Sequence, residues 1–579
     1  VATLQWRVSV SVPPSNSVAN SAAISTRQNR LFAVCSGFTI LCFGIRLSPV
    51  PYSLRIIRPR AAHTTHREDF SLLHDIFRKI GYLIRRSQQP GNAHEEAPDE
   101  RKLFERLELN KERIQSYYGN DLVLRACNVG SRAALLCYID GLADEKFIGD
   151  FVLVPLLRPW LQQGMRLSHI KEHFLTAGDV KETDALPLLL GSLSAGDCAL
   201  LLDGEAGALL ISSKGYARRG VEDSTTEMTA RGPRESFTEN MRTNTALLRR
   251  RVKSPDLLFD LCSAGRYSKT DITIAYIRGI AQEETVAEVK RRLAKIDVDA
   301  VLESGYVEQY VEDAPYSLFA TVGNSERPDA VAARLLEGRI AILVDGTPFV
   351  LTVPCFFMET FQGVEDYYAR PFFATFLRVL RFAAAIVTVL LPALYLSFTI
   401  FHQEIIPTKL LFSMVGASAN IPFPELLEML LMSFTFEVLR EAGKRLPRAV
   451  GQSISIVGAI IVGEAAVSAG LVSAPMVIVV SFTAVCSFMV PAHNDAFTLL
   501  RFIFIAAAGW MGGVGVLLCA LCLLAHLASL ESFGQPYMAP FFPLRRGDLK
   551  DSLVRAPLHD MVARPTGMTG NRRRVGGNK

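Results

Sequence analysis

The sequence predicts an α+β membrane protein: two cytosolic α/β subdomains followed by a polytopic α-helical transmembrane bundle. Three observations lead there. Hydrophobic residues make up 49% of the 579 positions, yet they concentrate in one block at 382–529. Ahead of that block, strand-like runs ending in Asp-Gly pairs alternate with amphipathic helical stretches. Inside it, uncharged runs reach the roughly 20 residues that a membrane helix needs. The net charge of +5 gives no reason to expect a nucleic-acid partner, and ten cysteines without paired spacing read as reduced thiols. Cys519-Ala-Leu-Cys522 has the CxxC form but sits in an apolar run, where it reads as packing.

Residues 1–67 contain no Asp or Glu, and Leu31 to Ile45 has the length of a signal h-region. Two readings are open, a targeting presequence and a misplaced gene start. The chain begins with Val and has no Met before Met165, which favours the second. Residues 68–100 read as a linker, polar and Pro/Gly-containing at 87–99.

The first soluble subdomain is expected over 101–230. Leu103 to Tyr118 has helical spacing, and Ala133 to Leu142 is strand-like through Asp140-Gly141. Cys198 to Leu202, then Asp203-Gly204, then Ala208 to Ser212 predict a hairpin over Asp203 to Gly207. The second subdomain, 231–370, repeats the device at Asp345-Gly346 after Ile340 to Val344. Asp-Gly is read as a turn pair rather than a cation ligand.

Between these copies lies a charged segment, 231–251. Its Arg231, Arg234, Glu235, Glu239, Asn240, Arg242 and Asn244 are assigned to an interface, because Arg forks pair with carboxylates. The spacing predicts that Glu235, Glu239 and Arg242 share one helical face. An inter-subdomain clasp, a solvated helix and an anion-binding loop stay open as readings of the segment.

The chain offers no phosphate loop, serine elbow or cofactor motif, so it is not expected to be an enzyme. His169-Ile-Lys-Glu172-His173 matches the H-x-x-E-H pattern of a zinc protease, with both histidines on one helical face. No third ligand is evident in the sequence, so no metal is assigned.

The membrane region is expected over 371–535. Arg378 and Arg381 precede the uncharged run Phe382 to Phe401, about 30 Å as a helix. Glu425 to Arg445 is amphipathic, Met476 to Val490 is bounded by prolines, and Phe502 to Ala528 carries Gly509 and Gly513. Four or five spans fit these runs. Ser455, Ala459, Gly463, Ala466 and Gly470 step by helical spacing, which predicts one small-residue face with Glu464 beside it. Such a face serves close helix packing or lines a pore, and an acid at that depth faces protein or water. Residues 536–579 read as a basic cytosolic tail.

Several separated motifs resemble one family, the A subunits of GerA-type nutrient germinant receptors of spore-forming bacteria. They are Arg231-Gly-Pro-Arg-Glu-Ser-Phe-Thr-Glu-Asn-Met-Arg-Thr-Asn244, Ser325-Glu-Arg-Pro-Asp329, Asp345-Gly-Thr-Pro348, Phe434-Thr-Phe-Glu-Val-Leu-Arg-Glu-Ala-Gly443 and Asp548-Leu-Lys-Asp551. The stretch at Glu464 departs from the family pattern, where Gln is commoner. The resemblance implies an inner spore membrane location, with the N-terminal region and tail cytosolic. It further implies a transporter-like B subunit that binds the nutrient, a lipoprotein C subunit, and a homo-oligomer forming a ligand-gated ion channel in lipid. A dipicolinate-channel-associated paralogue of the same family and a secondary transporter subunit are the alternatives.

Overall fold

The chain forms two five-stranded sheets ahead of its apolar helices, and the two have the same topology. The computed structural model describes residues 101–157, 166–215, 227, 231–445, 461–569 and 573–574. The expected extension and linker at 1–100, and Ser455 and Ala459, lie outside the described residues. The first sheet comprises β1 (Leu122–Val129), β2 (Arg132–Ile139), β3 (Val180–Thr183), β4 (Cys198–Leu202) and β5 (Ala208–Ile211). Its spatial order is β1-β2-β4-β5-β3. The second comprises β6 (Leu257–Ala264), β7 (Thr270–Ile277), β8 (Gly323–Ser325), β9 (Ile340–Val344) and β10 (Val350–Val353), in the order β6-β7-β9-β10-β8. Every pairing is antiparallel, and the Asp203 hairpin closes with Cys198 opposite Ile211.

The strand period of two explains why both sheets are covered on both faces. In β2, Leu135, Cys137 and Ile139 join one core with helices Leu107–Tyr117 and Leu186–Ser194, while Ala134 and Leu136 join another. In β9, Ile340, Ile342 and Val344 face one core and Ala341 and Leu343 the other. Central strands with five buried residues in a row, β4 and β9, are the result.

The repetition extends to the turns. Asp203 Oδ1 accepts from the Leu107 amide at 3.1 Å, and Asp345 Oδ1 accepts from the Met241 amide at 3.1 Å. Each aspartate thus satisfies an orphan donor at the start of a helix, the second being Met241–Arg251. Beside them, Gly204 N donates to Glu105 O and Gly346 N to Glu239 O, both at 2.9 Å. Asn110 brackets Phe104 through its amide and carbonyl, as Asn244 brackets Thr238. The Asp140-Gly141 pair follows β2 and has no such role.

Among the described residues, two helices are long and apolar enough to cross a membrane, Pro371–Ile400 and Pro491–Ser529. The other expected runs are shorter or charged. Ala474–Ser487 has 14 residues, about 21 Å of helix. Thr408–Ser418 has 11 residues, and Glu425–Lys444 has 20 but keeps its charges. The last long helix, Asn494–Ser529, breaks at Gly512, whose φ of 59° and ψ of −140° leave helical space. A side chain there would meet Phe401 Cγ at 2.7 Å, so the kink lets the end of the first long helix approach.

The described part of the basic tail packs onto the second sheet unit. A small hairpin, β11 (Glu531–Ser532) with β12 (Gln535–Pro536), leads back to it. Ser532 Oγ donates to Thr321 O at 2.7 Å and accepts from Cys355 N at 3.0 Å. Phe533 enters the core of the second sheet, with the Arg292 guanidinium 4.2 Å from its ring centroid. Tyr537 is wholly buried, and Thr569 bridges to Ala281.

Candidate functional site

The charged segment at 231–251 divides into an extended approach and a helix. Asn240 Oδ1 accepts from the Thr243 amide at 3.1 Å, so the helix begins only at Met241. Glu235 and Glu239 therefore lie ahead of the helix, and the expected shared face with Arg242 does not exist. Glu235 receives Arg250 at 3.1 Å and Arg251 at 3.0 Å. Arg231, Arg234, Glu239 and Asn240 are exposed, and Asn244 is buried against Thr238.

Two arginines of this helix cross to the first sheet unit. Arg242 pairs with Asp140 at the surface. Arg249 is 1% exposed and pairs with Asp121, between the rings of Tyr118 at 5.5 Å and Phe259 at 5.0 Å. The sequence reading missed Arg249, because nothing local marks one arginine in Leu-Leu-Arg-Arg-Arg as the buried one. The helical period carries the signal: Arg249 follows Met241 by eight and shares its inward face.

A second knot of charge sits where the soluble part enters the first long helix. Arg378 is fully buried. Its Nε donates to Asp366 Oδ2 at 2.9 Å, and its Nη1 to Asp551 Oδ1 at 2.9 Å and Ser552 O at 3.0 Å. Arg381 also donates to Asp366, at 2.9 and 3.0 Å. Tyr367 Oη donates to Asp551 Oδ2 at 2.8 Å, and burial pushes its hydroxyl well above its ordinary range, so the proton stays. The Asp548–Asp551 motif is thus the tail's grip on the base of this helix. In the Ser325–Asp329 motif, Arg327 is buried and holds Asp329 and the Pro233 carbonyl at 2.7 and 2.9 Å. Burial raises the Asp329 carboxyl, but hydrogen bonds from Arg327 and Tyr368 win and hold it below its ordinary range.

Among the apolar helices, Glu437 pairs with Arg440 and with Arg501, which is 2% exposed. Arg440 also donates to Asn494 Oδ1 at 2.7 Å and Thr498 Oγ1 at 2.8 Å. This is the work of Glu437 and Arg440 in the Phe434–Gly443 motif. Glu428, 1% exposed, accepts from Ser473 Oγ at 2.7 Å. Glu428 and Glu437 are therefore matched by donors on neighbouring elements.

The small-residue stretch is seen from residue 461 onward, helical over 461–468. Gly463 is buried, and a Cβ there would sit 3.0 Å from Val477 Cγ1, so this glycine packs against helix Ala474–Ser487. Glu464 is exposed and Ala466 half-buried. Gly470 is not part of the face. Its φ of +67° lies past the helix end, where its amide reaches Val467 O at 3.0 Å and Leu471 N reaches Ala466 O at 2.9 Å. That is a helix-terminating motif, for which glycine carries no Cβ penalty. Of the other pair, Gly509 makes room for Leu426 and Gly513 for His402.

His169 and His173 lie side by side with ring centroids 4.5 Å apart, both exposed. No group of three or more His, Cys, Asp or Glu is placed to hold a metal ion among the described residues.

Residues 109–567 match the family described as Bacillus/Clostridium GerA spore germination protein. Spore germination protein KA of Bacillus subtilis (strain 168) is 43% identical over 76% of this chain and 82% of its own length. Spore germination protein GerLA of Bacillus cereus is 36% identical over 80% of this chain and 95% of its own. A crystal structure of the N-terminal domain of the A subunit of the Bacillus megaterium spore germinant receptor GerK3 is 39% identical. It covers 44% of this chain and 97% of that chain, at a TM-score of 0.36.

Proposed function

Because the chain belongs to the Bacillus/Clostridium GerA spore germination protein family, we propose that it is the membrane-embedded A subunit of a nutrient germinant receptor. In this reading it acts without catalysis, beside a transporter-like B subunit and a lipoprotein C subunit, in the inner spore membrane. Its apolar helices form a polytopic bundle, and copies of the chain assemble into an ion channel that opens when a partner senses the nutrient.

The observation that carries the mechanism is the buried joint of Arg378, Asp366 and Asp551. It ties the first long helix, the connector before it and the tail into one charged unit that cannot shear cheaply, since separating buried ions costs several kcal/mol. A displacement of the soluble layers would then be passed to the helix rather than absorbed.

Two further features support assembly. Helix Thr408–Ser418 has no buried residue, and Phe412 is 73% exposed. Apolar surface of that kind calls for lipid or another protein. Glu464 is exposed beside the buried Gly463, on a surface where an acid has no partner to gain except water, a second copy or a passing cation.

The test is conductance of the purified receptor complex in liposomes, with and without nutrient. Nutrient-dependent cation flux that is lost in Gly463→Leu and altered in Glu464→Gln is the expected result. Flux unchanged in both variants would remove the pore assignment, and a complex silent under every nutrient would remove the channel reading.

A further inference from the structure

Helix Pro328–Leu336 of the second sheet unit, the connector at 357–368 and the returning tail line a half-open cavity of about 520 Å³. That volume falls in the range of roughly 300–1,000 Å³ usual for small-molecule sites. Its walls are mostly apolar, with Ala330 and Ala333 from the helix, Val364 from the connector and Leu558 from the tail. The rings of Tyr367 and Tyr368 complete them.

The charged groups of the lining are unequal. Four arginines, Arg334, Arg339, Arg564 and Arg574, stand against Asp329, Glu337 and Glu359. Asp329 is engaged on both oxygens by Arg327. Glu359 is engaged on both oxygens by Arg339. Arg334 instead hydrogen-bonds neutral oxygens, Thr352 Oγ1 at 2.9 Å and Asn324 O at 3.5 Å, with the Glu227 carboxyl within reach of its charge but not hydrogen-bonded to it. Arg339 is 4% exposed, and its Nε is buried without a hydrogen-bond partner among the described residues. Glu337 is paired with Arg574 at 3.2 Å and lies 3.6 Å from Arg339, so the cation left over among the acids of the lining is Arg334. An apolar chamber with surplus guanidinium is matched by a molecule that carries one acid group on an apolar body, because the planar fork of Arg suits a carboxylate.

We infer that this cavity is a binding site for a small aromatic or branched organic carboxylate, held by Arg334 with its body between Ala333 and the Tyr367–Tyr368 rings. Such a ligand touches the sheet unit, the connector into the first long helix and the tail at once, so it fastens the three together. The inference stands on the cavity and does not require that the chain be a receptor or a channel.

The experiment is calorimetric titration of the full chain in detergent, with benzoate and, separately, inorganic phosphate as probes. Saturable binding of one benzoate per chain is expected, with phosphate at least about tenfold weaker. Arg334→Gln should weaken benzoate about tenfold, the effect of losing one charge-assisted hydrogen bond. Ala333→Leu fills the chamber while keeping every charge, and should abolish binding with the thermal midpoint kept. Absence of benzoate binding to the parent chain, or equal binding by the parent and both variants, overturns the site. Phosphate binding as tightly as benzoate overturns the apolar half of the recognition.

Discussion

Arg378 and Asp551 lie 173 positions apart in the chain and 2.9 Å apart in space. The arginine is fully buried, and its Nη2 has no hydrogen-bond partner among the described residues. Asp551 and Asp366, the latter shared with Arg381, therefore compensate a charge that water cannot reach. Asp551→Ala should cost roughly 1.5–3 kcal/mol, the loss of a charge-assisted hydrogen bond to an arginine that keeps Asp366. Limited proteolysis should then cut the chain between the last long helix and residue 569. A tail as resistant as the parent's would sink this account.

Arg249 makes a parallel prediction for the two sheet units. Arg249→Met leaves Asp121 buried without its cation and should lower stability by roughly 3–5 kcal/mol. The double change Arg249→Met with Asp121→Leu removes both charges and should recover most of that loss. Urea unfolding of the full chain in detergent measures both. If the double variant is no more stable than the single, the pair is not the source of the effect.

Among the apolar helices, Glu437→Gln leaves Arg501 and Arg440 competing for one neutral amide. Poor accumulation of the protein in membranes is expected. Glu441→Gln, whose partners Lys444 and Arg445 are exposed, should accumulate normally and serves as the control. Equal yields of the two variants would contradict the assignment.

Gly512→Ala forces a left-handed φ on a residue with a Cβ, at roughly 1–2 kcal/mol, and drives that carbon into Phe401. The kink should straighten, and the thermal midpoint should fall. Pairing it with Phe401→Ala should restore part of the midpoint, because the clash but not the backbone strain is relieved.

Acid should stabilise the second sheet unit through Glu308. Burial, with Glu312 and Glu303 nearby, pushes its carboxyl up to about 7 from an ordinary 4.5. The folded state thus holds a proton that the unfolded chain gives up. The stability this contributes is complete below pH 4.5 and lost as pH rises through about 7. Glu312 is shifted in the same direction and adds to the slope. Glu308→Gln should flatten the fall in thermal midpoint between about pH 5 and 8 and leave the variant the more stable at pH 8. An unchanged slope would assign the effect to other groups.

How much of this was legible beforehand depended on range. The Asp203 hairpin follows from turn chemistry four or five residues long, and the sequence carries it. The matching roles of Asp203 and Asp345 were half visible: the turns could be read, but not the helix starts they satisfy, which lie far away in sequence. Gly470 looked like one more small residue in a helical stripe, because spacing alone does not report a positive φ. The packing of the tail was not legible for a physical reason: it rests on Ser532, Phe533, Tyr537 and Thr569, which have no periodicity.

The Ser532 hydroxyl reaches Thr321 directly, so the chain comes back to the very unit it left at Arg370. A polymer that departs from a body and rejoins it crosses any barrier between an even number of times. Five passes would leave Ser532 and Thr321 on opposite faces of a bilayer, with no hydrogen bond possible across it. If the segments in between cross a bilayer, this one contact requires that they do so an even number of times.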